Sequence, residues 1–463
     1  MKRLLAGGLV LMAVTMPGVS ASGPSLPSDE TVRRLLIERI DTRQQGVGIV
    51  VGLIDAQGRR VVAHGVFDKD NARPVDDRTV FEIGSITKVF TSLLLADMVK
   101  RGEVALADPV AKYLPDGVSV PQHDGRAITL ADLATHTSAL PRLPENMAPA
   151  SLDNPYADYT VAQLYQFLAT YKLPRPIGAQ FEYSNLGYGL LGHALARRQG
   201  TDYKSLVRER ILTPLGMSDT AITLPADLAA RLAPGHDAAL NKVSNWDLPA
   251  LAGAGALRST VNDMMTFLEM ALDLKDSPLS SALAASLQTR QPNSAPGGAV
   301  ALGWMVTPGH DEEIVWHNGG TGGYQSFIGF LPKSKVGVVV LSNASTSAGV
   351  DDIGMHLLDP RIPLAPPPAR HTVAEVDPAT FDGYAGRYQL APQFVLTVTR
   401  EGDRLYAQAT GQPKAEIRPE SPTRFFYQVV EAEITFETDN RGRATKLTLH
   451  QNGRDMPAPR LPE

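Results

Sequence analysis

Phe81-Glu-Ile-Gly84-Ser85-Ile-Thr-Lys88-Val-Phe-Thr-Ser-Leu-Leu-Leu95 is the stretch whose reading decides the fold. Ile86, Val89, Phe90, Leu93 and Leu94 recur at helical intervals, so the segment reads as a buried helix with Ser85 and Lys88 one turn apart on one side. It holds the only Ser-x-x-Lys spacing in the chain. A serine hydroxyl is a poor nucleophile at neutral pH. A lysine beside it can take its proton if burial or a nearby cation keeps the amine neutral part of the time. The start of a helix adds unpaired N–H groups that can hold an oxyanion. This pairing therefore points to acyl transfer.

Working outward, the segment sits in a helical middle that runs from about Phe81 to Leu274. Before it, Ser28-Asp-Glu opens a short helix carrying Val32, Leu35, Leu36 and Ile40. Two strands follow, Val47 to Ile54 and Arg60 to Val66, joined by a turn at Asp55-Ala-Gln-Gly58. After it, Leu302 to Val306, Glu313 to His317, Gln325 to Leu331 and Val336 to Ser342 read as a β-meander. Strands at both ends of a helical middle predict an α+β fold, one antiparallel sheet assembled from both ends and flanked by helices over residues 28–358. Five prolines between 359 and 370 predict a stiff linker spanning 359–374. Beyond it, short alternating runs at Phe394 to Thr399, Leu405 to Ala409, Arg424 to Val430, Ala432 to Thr438 and Thr445 to His450 predict a small all-β barrel over 375–463.

The chain has 463 residues, 43% hydrophobic and 20% charged, which is enough for a large core and two domains. Its net charge of −5 and pI near 6.1 supply no basic field, so nucleic acid is excluded as a partner and a small-molecule or short-peptide substrate is expected. Met1-Lys2-Arg3 followed by the apolar run Leu4 to Met16 and the small residues Val19-Ser20-Ala21 reads as a signal peptide covering 1–21. Gly7, Gly8, Thr15 and Pro17 interrupt the run and make it too short for a membrane anchor. A periplasmic or secreted protein with no transmembrane anchor after signal removal is the expectation. Cysteine is absent, which removes disulfides and thiol catalysis.

Two more elements could complete an acyl-transfer site. Tyr183-Ser184-Asn185 lies in a loop that leads into an apolar helix, where a phenol beside a lysine could be acidified enough to shuttle a proton. His317-Asn318-Gly319-Gly320 follows a strand, and its glycines let a substrate backbone come close. His123-Asp-Gly125 also fits the spacing, but it has the look of a surface turn. No pair of histidines has helical metal-ligand spacing, so neither metal nor cofactor is implied.

With Ser-x-x-Lys, Tyr-x-Asn and His-x-Gly in this order, residues 30 to 345 resemble the penicillin-recognising serine hydrolases. The branch resembled is the one of class C β-lactamases, soluble DD-peptidases, D-aminopeptidases and esterases. The flanking segments Leu133-Ala-Thr-His136-Thr-Ser-Ala-Leu140, Gly178 to Gly192, Gly255 to Met264 and Leu302-Gly-Trp304 carry the same resemblance. It implies Ser85 as the acylated nucleophile, and Lys88 and Tyr183 as the groups sharing general-base and general-acid work. Asn185 would hold the substrate amide, while His317 and Gly319 line the substrate strand. The N–H groups of Ser85 and Gly320 would form the oxyanion hole. His136 is read as a buried structural histidine. Because histidine replaces the lysine typical of class C β-lactamases, the expected activity is that of a peptidase or amidase on peptides with D-residues. A β-lactamase or carboxylesterase is the alternative, and a non-catalytic sensor of penicillin or peptidoglycan fragments the reading from another class. The final barrel resembles the lipocalin-like appendages of some peptidases in this group.

Overall fold

The computed structural model describes residues 26–367, 371–391, 394–410, 414–427, 432–451 and 454–462. The signal-peptide reading of 1–21 lies outside these residues. Nine antiparallel strands form one sheet in the order 291–292, 299–300, 305–308, 313–320, 325–331, 336–342, 48–55, 58–68 and 71–74. Strand Gly48–Asp55, from the start of the chain, pairs with Val336–Ser342 from its end, with Val51 opposite Val340. The two ends of the chain therefore share one sheet, and the helical middle packs on it.

Both faces of that sheet are covered, which is why its central strands are apolar throughout instead of alternating. On one face Ile49, Val51, Leu53, Val338 and Val340 pack with Val32 and Leu36 of helix Asp29–Ile37 and with Ile353 and Leu357 of helix Asp351–Leu358. On the other, Val50, Ile54, Val339 and Leu341 join the main helical core. At its centre lies helix Thr87–Lys100, in which every residue from Thr87 to Met98 is buried. A helix apolar all round belongs inside a large domain.

Two readings shift in detail. The strand expected from Leu302 begins only at Met305, because Ala301 N–H bonds Trp304 O at 2.8 Å and Gly303 N–H bonds Ala134 O at 3.2 Å, leaving no ladder partners for that turn. The proline segment, read as a stiff linker, is held on both sides by hydrogen bonds. Ala365 N–H donates to Asp352 at 2.8 Å and its carbonyl accepts from Arg43 at 3.1 Å, while Ala374 N–H donates to Pro419 O at 2.9 Å.

Eight consecutive antiparallel strands then run from Gly386–Ala391 to Arg454–Pro459. A bridge between Tyr388 and Arg460, with Leu461 N–H donating to Arg387 O at 2.7 Å, ties the last strand back to the first. The barrel interior is filled by aromatic rings: Tyr384 stacks on Phe436 at 4.6 Å, and Phe425 meets Phe436 edge-on at 5.5 Å. Strands Gly386–Ala391, Ala415–Pro419 and Arg454–Pro459 were not read from sequence, because their apolar positions are too few to show a period of two.

Candidate active site

Ser85 lies in a tight turn, Gly84–Ile86, that feeds directly into helix Thr87–Lys100. Gly84 makes that turn possible. Its φ is +47°, and a Cβ there would stand 2.8 Å from Gly320 N and 2.9 Å from Gly320 O. The nucleophile's turn and the end of strand Glu313–Gly320 thus touch backbone to backbone, which brings the Ser85 and Gly320 peptide groups to one place. Ser326 Oγ donates to Ile83 O at 2.9 Å and fixes the contact from the neighbouring strand.

Lys88 Nζ donates to Ser85 Oγ at 2.9 Å, to Asn185 Oδ1 at 2.9 Å and to Ala254 O at 2.7 Å. The amine is fully buried, and burial first and the Arg142 charge second hold its pKa well below the ordinary lysine range. Its three hydrogen bonds aim it; its desolvation loosens its proton. Ser85 itself remains partly exposed, as a nucleophile that must meet substrate has to be.

Tyr183 precedes Ser184, the N-cap of helix Asn185–Arg198, whose hydroxyl accepts from Gly187 N–H. His136 supports this corner from below: its Nδ1 accepts from Ser184 N–H at 3.0 Å, and its ring stacks on Tyr183 at 4.4 Å. The histidine is buried and neutral, its pKa driven well down by burial and then by Lys88, which fits a structural role. The acidified phenol anticipated at Tyr183 is not found. Burial outweighs the Ser85 hydroxyl and the Arg142 charge and pushes Tyr183 up to about 12. At neutral pH Tyr183 is therefore protonated, while the Lys88 amine holds its proton less tightly than an ordinary lysine.

His317 is buried, with Nδ1 2.6 Å from Asn318 O. A carbonyl only accepts, so the ring proton is on Nδ1 and Nε2 carries a lone pair. Burial and then the Lys88 charge lower its pKa to about 3, so the ring is neutral at any working pH. Its Nε2 is buried without a hydrogen-bond partner among the described residues. The side chain is thus neutral, with one buried acceptor nitrogen. His123-Asp-Gly125 lies in a small hairpin, Gln122–His123 with Arg126–Ala127, with Asp124 and Gly125 at its left-handed turn.

Several side chains around the site were not singled out in the sequence reading. Tyr156 OH accepts from Asn185 Nδ2 at 3.4 Å and its ring lies 5.3 Å from Trp246. Asn154 and Asp247 join the two wall loops by paired bonds of 3.1 and 2.9 Å. Behind them, buried Arg258 bonds Glu82 at 3.1 Å and Trp246 O at 2.9 Å, tying the wall to the residue three before Ser85. Arg142 extends its guanidinium 5.1 Å from the Tyr183 ring centre. Arg258 falls in the segment Gly255 to Met264 noted above and the others in no spaced motif, and only the folded chain shows them together.

A serine paired with a buried amine, a donor phenol and adjacent backbone N–H groups makes a serine hydrolase that works by acyl transfer. Comparison with known proteins agrees. Residues 33–358 match the Beta-lactamase family, and the chain belongs to it. Residues 370–458 match a domain of unknown function, DUF3471. The D-alanyl-D-alanine-carboxypeptidase/endopeptidase AmpH of Escherichia coli K12 is 33% identical over 379 residues, covering 76% of this chain and 96% of that protein. A class C β-lactamase structure from Rhodobacter sphaeroides superimposes with a TM-score of 0.61 at 27% identity, over 72% of this chain and 99% of that one. A β-lactamase/D-alanine carboxypeptidase structure from Yersinia pestis does so with 0.60 at 29%, over 69% and 94%. The chain is a serine hydrolase of the penicillin-recognising class.

Proposed function

We propose that this protein is an exported, periplasmic or secreted peptidase or amidase that cleaves short peptides containing D-residues, peptidoglycan fragments among them, through an acyl-enzyme on Ser85. The observation that carries the reading is the 2.9 Å hydrogen bond from the buried Lys88 amine to Ser85 Oγ. In the neutral state Lys88 takes the Ser85 proton as Oγ attacks the scissile carbonyl. The Ser85 and Gly320 N–H groups hold the oxyanion, and Asn185 holds the substrate amide. Tyr183, protonated in the resting enzyme, passes its proton to the leaving amine and regains one from Lys88. Water then releases the acyl group along the same path in reverse.

Neutral His317 supports a peptidase over an efficient β-lactamase, because it brings no cation to a β-lactam carboxylate. The resemblance to a carboxypeptidase over most of both chains favours the same choice. Relative rates on D-alanyl peptides, a chromogenic cephalosporin and a p-nitrophenyl ester test it. Mass spectrometry after β-lactam treatment should place the adduct on Ser85. A cephalosporin rate exceeding the peptide rate would replace the peptidase reading by the β-lactamase one, and an adduct that never decays would make the protein a sensor.

A further inference from the structure

We propose that Arg142 binds a carboxylate on the acyl half of the substrate, the half retained on Ser85, so that the enzyme prefers acidic acyl donors. This rests on the reading of Ser85 as the acylated residue and Asn185 as the holder of the acyl-side amide.

The placement is built into the backbone. Arg142 O accepts from both Asn185 N–H at 3.0 Å and Leu186 N–H at 3.2 Å, so the arginine is pinned to the start of the helix that carries Asn185. Its side chain is exposed, lies 5.1 Å from the Tyr183 ring centre, and forms no ion pair or side-chain hydrogen bond among the described residues. Its charge is felt by Lys88, His136, Tyr183 and Tyr156, yet not among the groups acting on His317. The backbone bonds to Asn185 and Leu186 and the approach to the Tyr183 ring place Arg142 at the Asn185 end of the site. A guanidinium offers a planar fork of donors that matches a carboxylate, and an exposed cation beside the Tyr183 ring that no described residue pairs is free to take a counter-ion from substrate. The acid could be an α-carboxylate or a side-chain carboxylate of a peptide; the shared chemistry is an anionic acyl group.

Two pairs of esters separate the halves of the substrate. Mono(p-nitrophenyl) adipate and p-nitrophenyl hexanoate share a leaving group and differ by one acyl-side carboxylate. m-Carboxyphenyl hexanoate and phenyl hexanoate share the acyl group and differ on the leaving side. Arg142→Gln should lower the adipate-to-hexanoate ratio of kcat/KM about tenfold, Arg142→Lys should keep most of it, and Arg142→Glu should lower it further. Ratios cancel any change in the Lys88 pKa, since both members of a pair use the same base. An unchanged adipate ratio in Arg142→Gln, or a loss confined to the carboxyphenyl pair, overturns the proposal. Undiminished hydrolysis of both hexanoate esters by Ser85→Ala would instead overturn the acyl-enzyme reading and leave the arginine's selectivity to be judged by its own ratio.

Discussion

The hydrolase unit and the barrel bury their side chains by different rules. In the barrel, Tyr384, Tyr388, Phe425 and Phe436 meet one another ring to ring, and the buried tyrosine hydroxyls find carbonyls, as Tyr388 does at Tyr384 O at 2.7 Å. In the hydrolase unit, Lys88, His136 and His317 are buried as ionisable groups, and two of them keep a ring nitrogen without a partner. Leaving a buried polar atom unpaired costs about 1–3 kcal/mol, so these buried ionisable groups weigh against the stability of the unit that holds them. The contrast teaches where to look for function: the barrel is arranged for packing, the hydrolase unit gives up some packing for reactivity.

The largest effect that bears on this contrast is at the nucleophile. Ser85→Ala should lower kcat by about 10⁴-fold or more in steady-state assays while leaving the thermal midpoint near that of the parent. Lys88→Met should cost about 10²–10⁴-fold, the usual range for a lost general base, and the apolar substitute should raise stability, which denaturant titration would register. Because the Lys88 pKa is depressed, kcat/KM on a neutral ester should climb with pH as the amine loses its proton and then level off. With Tyr183 up at about 12, no fall should follow before about pH 10. A bell centred below neutrality would assign the base elsewhere.

The barrel supplies the converse test. Phe436→Ala should cost that domain about 3–5 kcal/mol of stability without altering the Ser85 acylation rate. A parallel loss of acylation would mean that the barrel shapes the cleft.

A smaller effect lies behind the substrate strand, where Asn318 donates to buried Asp351, whose pKa is pushed up to about 6, mainly by burial. The folded state holds that proton more tightly than the unfolded chain does. Its contribution to stability is thus full below about pH 4 and lost as pH rises through about 6. Asp351→Asn should flatten this slope and raise stability at pH 7 by about 1–2 kcal/mol, measured by unfolding at several pH values. The smallest effect should be at Ala139, whose φ of +61° is left-handed. Ala139→Gly should be neutral to within about 1 kcal/mol, because relief of backbone strain is offset by a lost buried methyl and a freer unfolded chain.

Much of this was legible in the chain. The Ser85 and Lys88 spacing sits on a strongly periodic segment, and the strands around Val50 and Val339 are long apolar runs, so local pattern and global fold agree there. The left-handed backbone at Ala139 was not visible in the sequence. Arg142, Tyr156 and Arg258 were illegible for a simpler reason. Each acts through partners distant in sequence or on loops without period, and only closure of the fold sets them beside Ser85. Protonation was misjudged for a related cause: a neighbouring charge can be guessed from order along the chain, whereas the depth of burial that outweighs it at Tyr183 cannot.

The two sheets also end differently. The barrel bonds its last strand back to its first, while the nine-stranded sheet stops at Gln291–Pro292 on one side and Asn71–Pro74 on the other. Both of those borders are only two to four residues long and each finishes in a proline, which has no N–H to offer. A second chain would find almost nothing to extend, so the apolar strands behind the reactive centre are kept from templating aggregates.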